Sequence, residues 1–250
     1  MSASTLHSLL LLSDSALPLG SFAFSSGLES FLAHAKRSHT SAAARLRAFD
    51  VFLEHSLANV ASTALPYVLN AYADPERLQD LDNDFDASTP CTVARRASVA
   101  QGRALLGVWE RALAACVGEE LEYQLAATVL ADFALLMKSN KPDDFGFAPN
   151  GHFPALFGIT CAAMGISFAD TAYLFMMNHA KALLSAAVRA SVMGPFQSQM
   201  LLASAKLQSC LRSCIKQEQN NPAALTAVTT PPMDLWMGRN ELLYSRIFNS

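Results

Sequence analysis

The sequence predicts an all-α protein. It reads as a single helical-bundle-like domain of about eight to ten helices over residues 1–219, with a linker and C-terminal docking tail over 220–250. Three observations predict this. The apolar residues recur at helical spacing almost throughout. No alternating apolar–polar run is long enough for a strand. Ala and Leu dominate, and both are strong helix formers.

Breakers and caps place the elements in order. A first helix runs from about Thr5 to Ala16 and stops before Pro18. The turn from Pro18 to Gly27 is rich in Gly and Ser, and a short helix from Gly27 to about Ala35 follows it, with Ser25 and Ser26 placed to cap it. Ser41 is placed to cap a longer helix to about Ala61, and Pro66 suits the first turn of the next. Asp74 to Thr89 reads as a solvated acidic connector. A long helix is expected from Cys91 to Val117, another from Glu119 to Lys138, then a loop to Gly151. A helix from His152 closes at Gly165, and Ser167 with Asp170 forms a capping box. That box opens a helix to Val192, apolar on most faces and expected to be central. Gly194-Pro195 starts a last long helix to Glu218.

Composition narrows the function. At 250 residues, 52% apolar and 16% charged, the chain is rich in core and poor in charge. It is therefore ordered, and apolar surface is left over for partners. A net charge of −3 argues against nucleic acid. Cys91, Cys116, Cys161, Cys210 and Cys214 lie in helical stretches, which predicts reduced thiols and a cytoplasmic protein. Leu9 to Leu12 is too short for a signal core, and Asn178, His179 and Lys181 interrupt the most apolar stretch well short of a membrane span.

Catalytic signatures are missing. The chain has no G-x-S-x-G elbow, no G-x-x-x-x-G-K-S/T loop and no G-x-G-x-x-G. The aspartates at 80, 82, 84 and 86 lack the Gly and Glu of a calcium loop. Cys210 and Cys214 face one way on a helix but lack further ligands, so they read as a buried pair. The six histidines form no HxxxH pair; His34 and His39 are five apart, and surface positions are the default. His152, at a helix start before Pro154, reads as a structural cap. The alternative to a non-enzyme is a helical enzyme built around Ser25 and His152, with Arg189. The segment Arg239 to Phe248 mixes aromatic, aliphatic and Arg residues, as interface hot spots do; its own core and a partner's groove suit it equally.

Five separated motifs carry a family resemblance. Asp14-Ser15-Ala16-Leu17-Pro18-Leu19-Gly20-Ser21-Phe22-Ala23-Phe24-Ser25-Ser26-Gly27-Leu28-Glu29 resembles D-S/T-A-x-P-x-G-G/S-F-x-H-S-x-G-L-E, the opening of the UreF family of urease accessory proteins. The run Arg96 to Gly102, with Gln101, is similar to its R-x-x-S-x-x-Q-G, and Gly151-His152-Phe153-Pro154 with Phe157-Gly158 to its G-H-x-P-x-x-F-G. Ser185 to Arg189 and Gln199 fit the following helix pair. Glu241 to Ser250 resembles the closing H-E-x-x-Y-x-R-L-F-x-S. Phe24 and Asn240 stand where that family has His.

The resemblance implies an all-α homodimer. It implies a scaffold that binds a UreD/UreH-type accessory protein and recruits a UreG-type GTPase. Nickel then passes to apo-urease on GTP hydrolysis, with no tightly bound cofactor in this chain. The expected partner-binding residues are Pro18, Gly20, Phe22, Ser25, Gly27, Glu29, Arg189, Glu241, Tyr244, Arg246 and Phe248. Arg96, Gln101, Gly102, Gly151, His152 and Pro154 are expected to serve structure. Arg189 or Arg246 is a further candidate for acting on the GTPase in trans.

Overall fold

A computed structural model describes residues 3–35, 41–142 and 146–249. Among these it contains twelve α-helices and no strand. The all-α expectation holds, with more helices than expected. In chain order they are α1 (Ala3–Ser13), α2 (Leu28–Ala35), α3 (Ala42–Thr63), α4 (Leu65–Ala73), α5 (Leu78–Ser88), α6 (Thr92–Val108), α7 (Leu121–Ser139), α8 (Phe153–Ala163), α9 (Phe168–Arg189), α10 (Pro195–Leu202), α11 (Ala205–Glu218) and α12 (Pro232–Arg239).

The caps act as their side chains dictate. Ser41 Oγ accepts the Ala44 N–H at 3.1 Å. Ser167 Oγ accepts from Asp170 N at 3.2 Å and donates to its carboxylate at 2.7 Å, closing the box. Pro66, Pro154 and Pro195 sit in the first turns of α4, α8 and α10, where no N–H is missed.

Five expectations are corrected. First, α8 is the central helix rather than α9. It carries no charge and is buried along almost its whole length, packed by α4, α6 and α7. Gly158 permits the crossing: a Cβ there would lie 2.0 Å from the Val68 carbonyl oxygen. By contrast, α9 turns Asn178, Lys181, Ser185 and Arg189 to one side, and Asn178 and Lys181 both hold the end of α1. Second, the acidic connector is a helix. In α5, Leu78, Leu81, Asp82 and Phe85 are buried, a 3–4 spacing that four aspartates masked. Third, the last long helix breaks at Ser204, whose hydroxyl accepts from Leu207 N at 3.1 Å and starts α11. Fourth, α1 ends at Ser13, before the predicted Ala16. Fifth, the stretch after Val108 widens into a π turn (Trp109–Leu113) and then tightens into a 3-10 turn (Ala114–Cys116) instead of continuing α6.

Residues 220–249 lie against the body. Asn70 Nδ2 donates to the Asn221 carbonyl at 3.2 Å, and the Ser62 and Thr229 hydroxyls meet at 2.9 Å. Met233 on α12 is buried, and Trp236 meets Phe31 edge to face at 5.5 Å. The apolar face of α12 thus completes the bundle beside α2 and α6.

Candidate functional site

Two structures are built from the motif residues, one buried and one at the surface. The buried one centres on Asp82. Its Oδ2 accepts from Asn150 N at 2.7 Å and Gly151 N at 3.0 Å, and its Oδ1 from His152 N at 2.6 Å. These N–H groups precede α8, where an anion is favoured by both unpaired donors and the helix dipole. Gly151 adopts φ +80°, the left-handed region. Its carbonyl presses on α6, where a Cβ on Gly102 would lie 2.1 Å from that oxygen.

His152 occupies the N-cap position of α8 but makes no cap bond with its side chain, which corrects the expected cap. Its imidazole, fully buried, bridges Ser98 Oγ (Nδ1, 3.1 Å) and Asp86 Oδ1 (Nε2, 3.1 Å). Ser98 Oγ accepts the Phe153 N–H at 3.2 Å, so a serine on α6 does the capping. Burial pulls the His152 pKa below its ordinary value, against the raising influence of Asp82 and Asp86. Arg95 stands 3.4 Å from Asp86 and donates to the Thr89 carbonyl, joining α5 to α6.

The surface structure clasps the C-terminal tail. The Glu29 carboxylate on α2 accepts from Ile247 N at 2.7 Å and Phe248 N at 3.0 Å. Asn249 N donates to the Ala23 carbonyl at 2.8 Å. Arg96 pairs with Glu241 at 2.7 Å, both half exposed. The Arg189 guanidinium lies over the Phe248 ring, 4.4 Å from its centre, and that ring is 2% exposed. Gly27, at φ +85°, lets α12 approach: a Cβ would stand 2.8 Å from the Met237 nitrogen. Ser25 is buried, and its hydroxyl accepts from Glu29 N at 3.4 Å. Ser21 Oγ donates to Gln101 Oε1 at 3.1 Å, tying the turn to α6. Pro154 is buried in the first turn of α8, while Pro18 is exposed and Gly20 holds a left-handed turn with open space around it.

Large apolar side chains stand out from this clasp. Tyr244 is fully exposed, Leu242 is 77%, Phe22 69% and Ile247 64% exposed. Arg246 is also exposed. The hydrogen bond from Asn249 to Ala23 sets the turn that carries Phe22 beside the tail that carries Ile247.

Of the two departures from the family pattern, Asn240 is fully buried and donates weakly to the Phe248 carbonyl at 3.5 Å. Phe24 lines a half-open cleft beneath the N-terminal turn. Of the residues of the enzyme alternative, Ser25 bonds Glu29, His152 bonds Ser98 and Asp86, and Arg189 lies over Phe248.

Among the described residues no group of three His, Cys, Asp or Glu is placed to hold a metal ion. Cys214 is buried with its thiol pushed up to about 12, chiefly by burial, and Cys210 beside it is raised for the same reason. His7, His34 and His55 lie at the surface as expected, while His152 and His179 do not, and His39 lies outside the described residues. His179 meets Ser56 Oγ at 2.9 Å, and burial pushes its pKa down to about 4. Sequence reasoning missed Asp82 and Asp86, which gave no signal within an acidic run. Ser98 was legible as the serine of the quoted R-x-x-S motif but received no role.

No helix among the described residues is long and apolar enough to cross a membrane. The UreF family profile matches residues 37–206. The chain is 37% identical to an "Uncharacterized urease accessory protein UreF-like" of Schizosaccharomyces pombe, over 98% of this chain and 97% of that protein. It is 28% identical to "Urease accessory protein 6" of Cryptococcus neoformans var. grubii, over 100% and 98%. It is 29% identical to "Urease accessory protein F" of Arabidopsis thaliana, over 95% and 89%. These relatives all carry the names of urease accessory proteins. A profile match across most of the chain, together with relatives that align from end to end, places it in the UreF family of urease accessory proteins.

Proposed function

We propose that the chain is a scaffold in urease maturation. It binds a UreD/UreH-type accessory protein and recruits a UreG-type GTPase, so that nickel enters apo-urease when GTP is hydrolysed. In this reading it works in the cytoplasm as a homodimer and holds no cofactor tightly. Nickel is the cargo of the assembly.

The observation that supports the reading best is the apolar group of Phe22, Leu242, Tyr244 and Ile247. These side chains are exposed, on segments anchored to the body at Ala23, Glu241, Ile247 and Phe248. A pre-ordered apolar surface binds without a large ordering cost, and exposed aromatic residues in such a setting are what interfaces use. Residues 1–219 and 220–250 are then two functional parts: a bundle that sets the position, and a tail that makes the contact.

The test is co-purification with a UreD/UreH-type protein and a UreG-type GTPase, sized by light scattering, with and without GTP and nickel. Wild type is expected to form the first complex and then capture the GTPase. The double variant Phe22→Ser, Tyr244→Ala is expected to lose the first partner while its circular dichroism stays unchanged. Full binding by that variant would sink this placement of the interface. Arg246→Ala, assayed for GTP turnover in the complex, tests whether an exposed guanidinium also acts on the GTPase. An unchanged rate with normal binding would remove that role.

A further inference from the structure

A half-open cleft of about 270 Å³ lies between the N-terminal turn and α6, α8 and α9. Leu17, Phe24, Phe153 and Met237 line it and are half-buried, so apolar surface faces the opening. Asp14, Ser15, Phe22 and Ser185 belong to the same lining and are exposed. Along one side runs the outer stripe of α9, from Asn178 through Lys181 and Ser185 to Arg189. The stripe carries two cations, and among the described residues neither makes an ion pair. Lys181 is held by the Ser13 carbonyl, the Ser13 hydroxyl at 3.2 Å and Asn178 Oδ1 at 3.5 Å, all neutral oxygens. The Asp14 carboxylate lies nearby but turns back to accept the Ala16 N–H at 2.9 Å. Arg189 is exposed, with its guanidinium over the Phe248 ring.

Fixed cations beside apolar surface select an occupant by charge. Lys181 is half-buried, where an ion pair is screened less than in open water. It is also already ordered, so a carboxylate that pairs with it does not have to freeze a long side chain. Lys181 and Arg189 are eight residues apart on one helix, about 12 Å along its axis. A small molecule wants a pocket that buries most of its surface, and this cleft is open along one side. A helix laid along α9 has the same rise and reaches both cations. We propose that the cleft and the outer stripe of α9 dock an acidic amphipathic helix of a protein partner, with apolar side chains in the cleft and carboxylates about two turns apart on Lys181 and Arg189. Ser26 and Ser185 also line the contact, and among the described residues their hydroxyls make no hydrogen bond, so they are free for polar side chains of the docked helix. The proposal rests on the scaffold reading for the existence of a protein partner, and goes beyond it in naming what that partner presents here.

The test begins with the purified full chain alone. Fluorescence anisotropy follows a labelled helical peptide of about sixteen residues, with leucines on one face and two glutamates about two turns apart. Its counterpart has glutamine at both positions. Saturable binding of the acidic peptide is expected, at least tenfold tighter than that of its counterpart and weakened by salt. Ser185→Glu puts a negative charge between the two cations at an exposed position whose hydroxyl holds nothing, so the fold is kept while binding falls at least tenfold. Three results would overturn the proposal: no saturable binding of the acidic peptide, equal binding of the glutamine peptide, or unchanged binding by the folded Ser185→Glu variant. A second arm replaces Ser185 with a benzophenone amino acid and irradiates the chain in complex with the UreD/UreH-type protein and the UreG-type GTPase. A crosslink to a carboxylate-bearing helix of either protein is expected. A complex that forms normally but gives no crosslink, or one only to a second copy of this chain, would remove this docking site and leave the scaffold reading standing. Failure of the wild-type chain to form any complex would sink the scaffold reading, and the peptide titration would still decide this one.

Discussion

The network around Asp82 and the clasp around Glu29 do the same task with the same chemistry. Each uses one carboxylate to hold successive backbone N–H groups of a segment distant in sequence. They differ in solvent. Asp82 is 1% exposed and the N–H groups of Gly151 and His152 that it holds are buried, so losing it leaves donors that water cannot reach. Glu29 works at the surface, where water replaces a lost bond at little cost. The difference separates the motif residues by consequence. Those around Asp82 hold the fold. Those around Glu29 hold a surface in place, and under the proposed function their loss falls on partner binding more than on stability.

Four variants or conditions probe that difference, from the largest effect to the smallest. Asp82→Ala strips three N–H groups of their acceptor and is expected to cost about 3–5 kcal/mol, read as a drop in the denaturant midpoint. A loss below about 1 kcal/mol would show that water enters this site and that the two regions are alike.

Acid should weaken the interior in the same way. Burial lowers the pKa of His152 and pushes that of His179 down from 6.5 to about 4. The unfolded chain then takes up protons that the folded chain refuses. Stability is therefore full above pH about 6.5 and is lost as pH falls from there toward about 4, with His179 contributing up to about 3 kcal/mol. Urea melts from pH 8 to 4.5 follow this directly. His179→Gln should flatten the slope, and an unchanged slope would place the acid sensitivity elsewhere.

Phe248→Ala empties the seat under Arg189 and should cost about 2–3 kcal/mol, with faster proteolysis of the tail. If the tail stayed equally protected, the bonds made by Glu29, Asn249 and Arg96 would be enough to hold it. Tyr244→Ala should leave stability within about 0.5 kcal/mol, because the ring touches water on all sides. Its effect is expected in partner binding, at tenfold or more. A destabilised Tyr244→Ala protein with normal binding would reverse the assignment of the two regions.

Much of this was legible in order of sequence. Ser41 and Ser167 announced their helices because a cap acts over three residues, and Pro66 and Pro195 marked first turns for the same local reason. Local reasoning failed where a distant group decided the outcome. The α5 aspartates looked like solvent-facing charge because nothing nearby shows that Asp82 meets a loop 69 residues away. His152 looked like a cap because its own neighbours invite one, whereas the hydroxyl that accepts the Phe153 N–H comes from Ser98 on another helix. The break at Ser204 was readable in principle, since a serine cap started α11 there, but the unbroken apolar spacing on either side concealed it.

The sequence by itself determined the helical class, most helix starts and the family, because period, caps and motif strings are properties of neighbours along the chain. Only the tertiary structure decided that α8 is the core helix, that the tail folds onto Glu29 and Arg189, and that an apolar cleft opens under the N-terminal turn. Those outcomes depend on which faces meet between segments far apart in the chain, where packing and burial set the energies and sequence distance sets nothing.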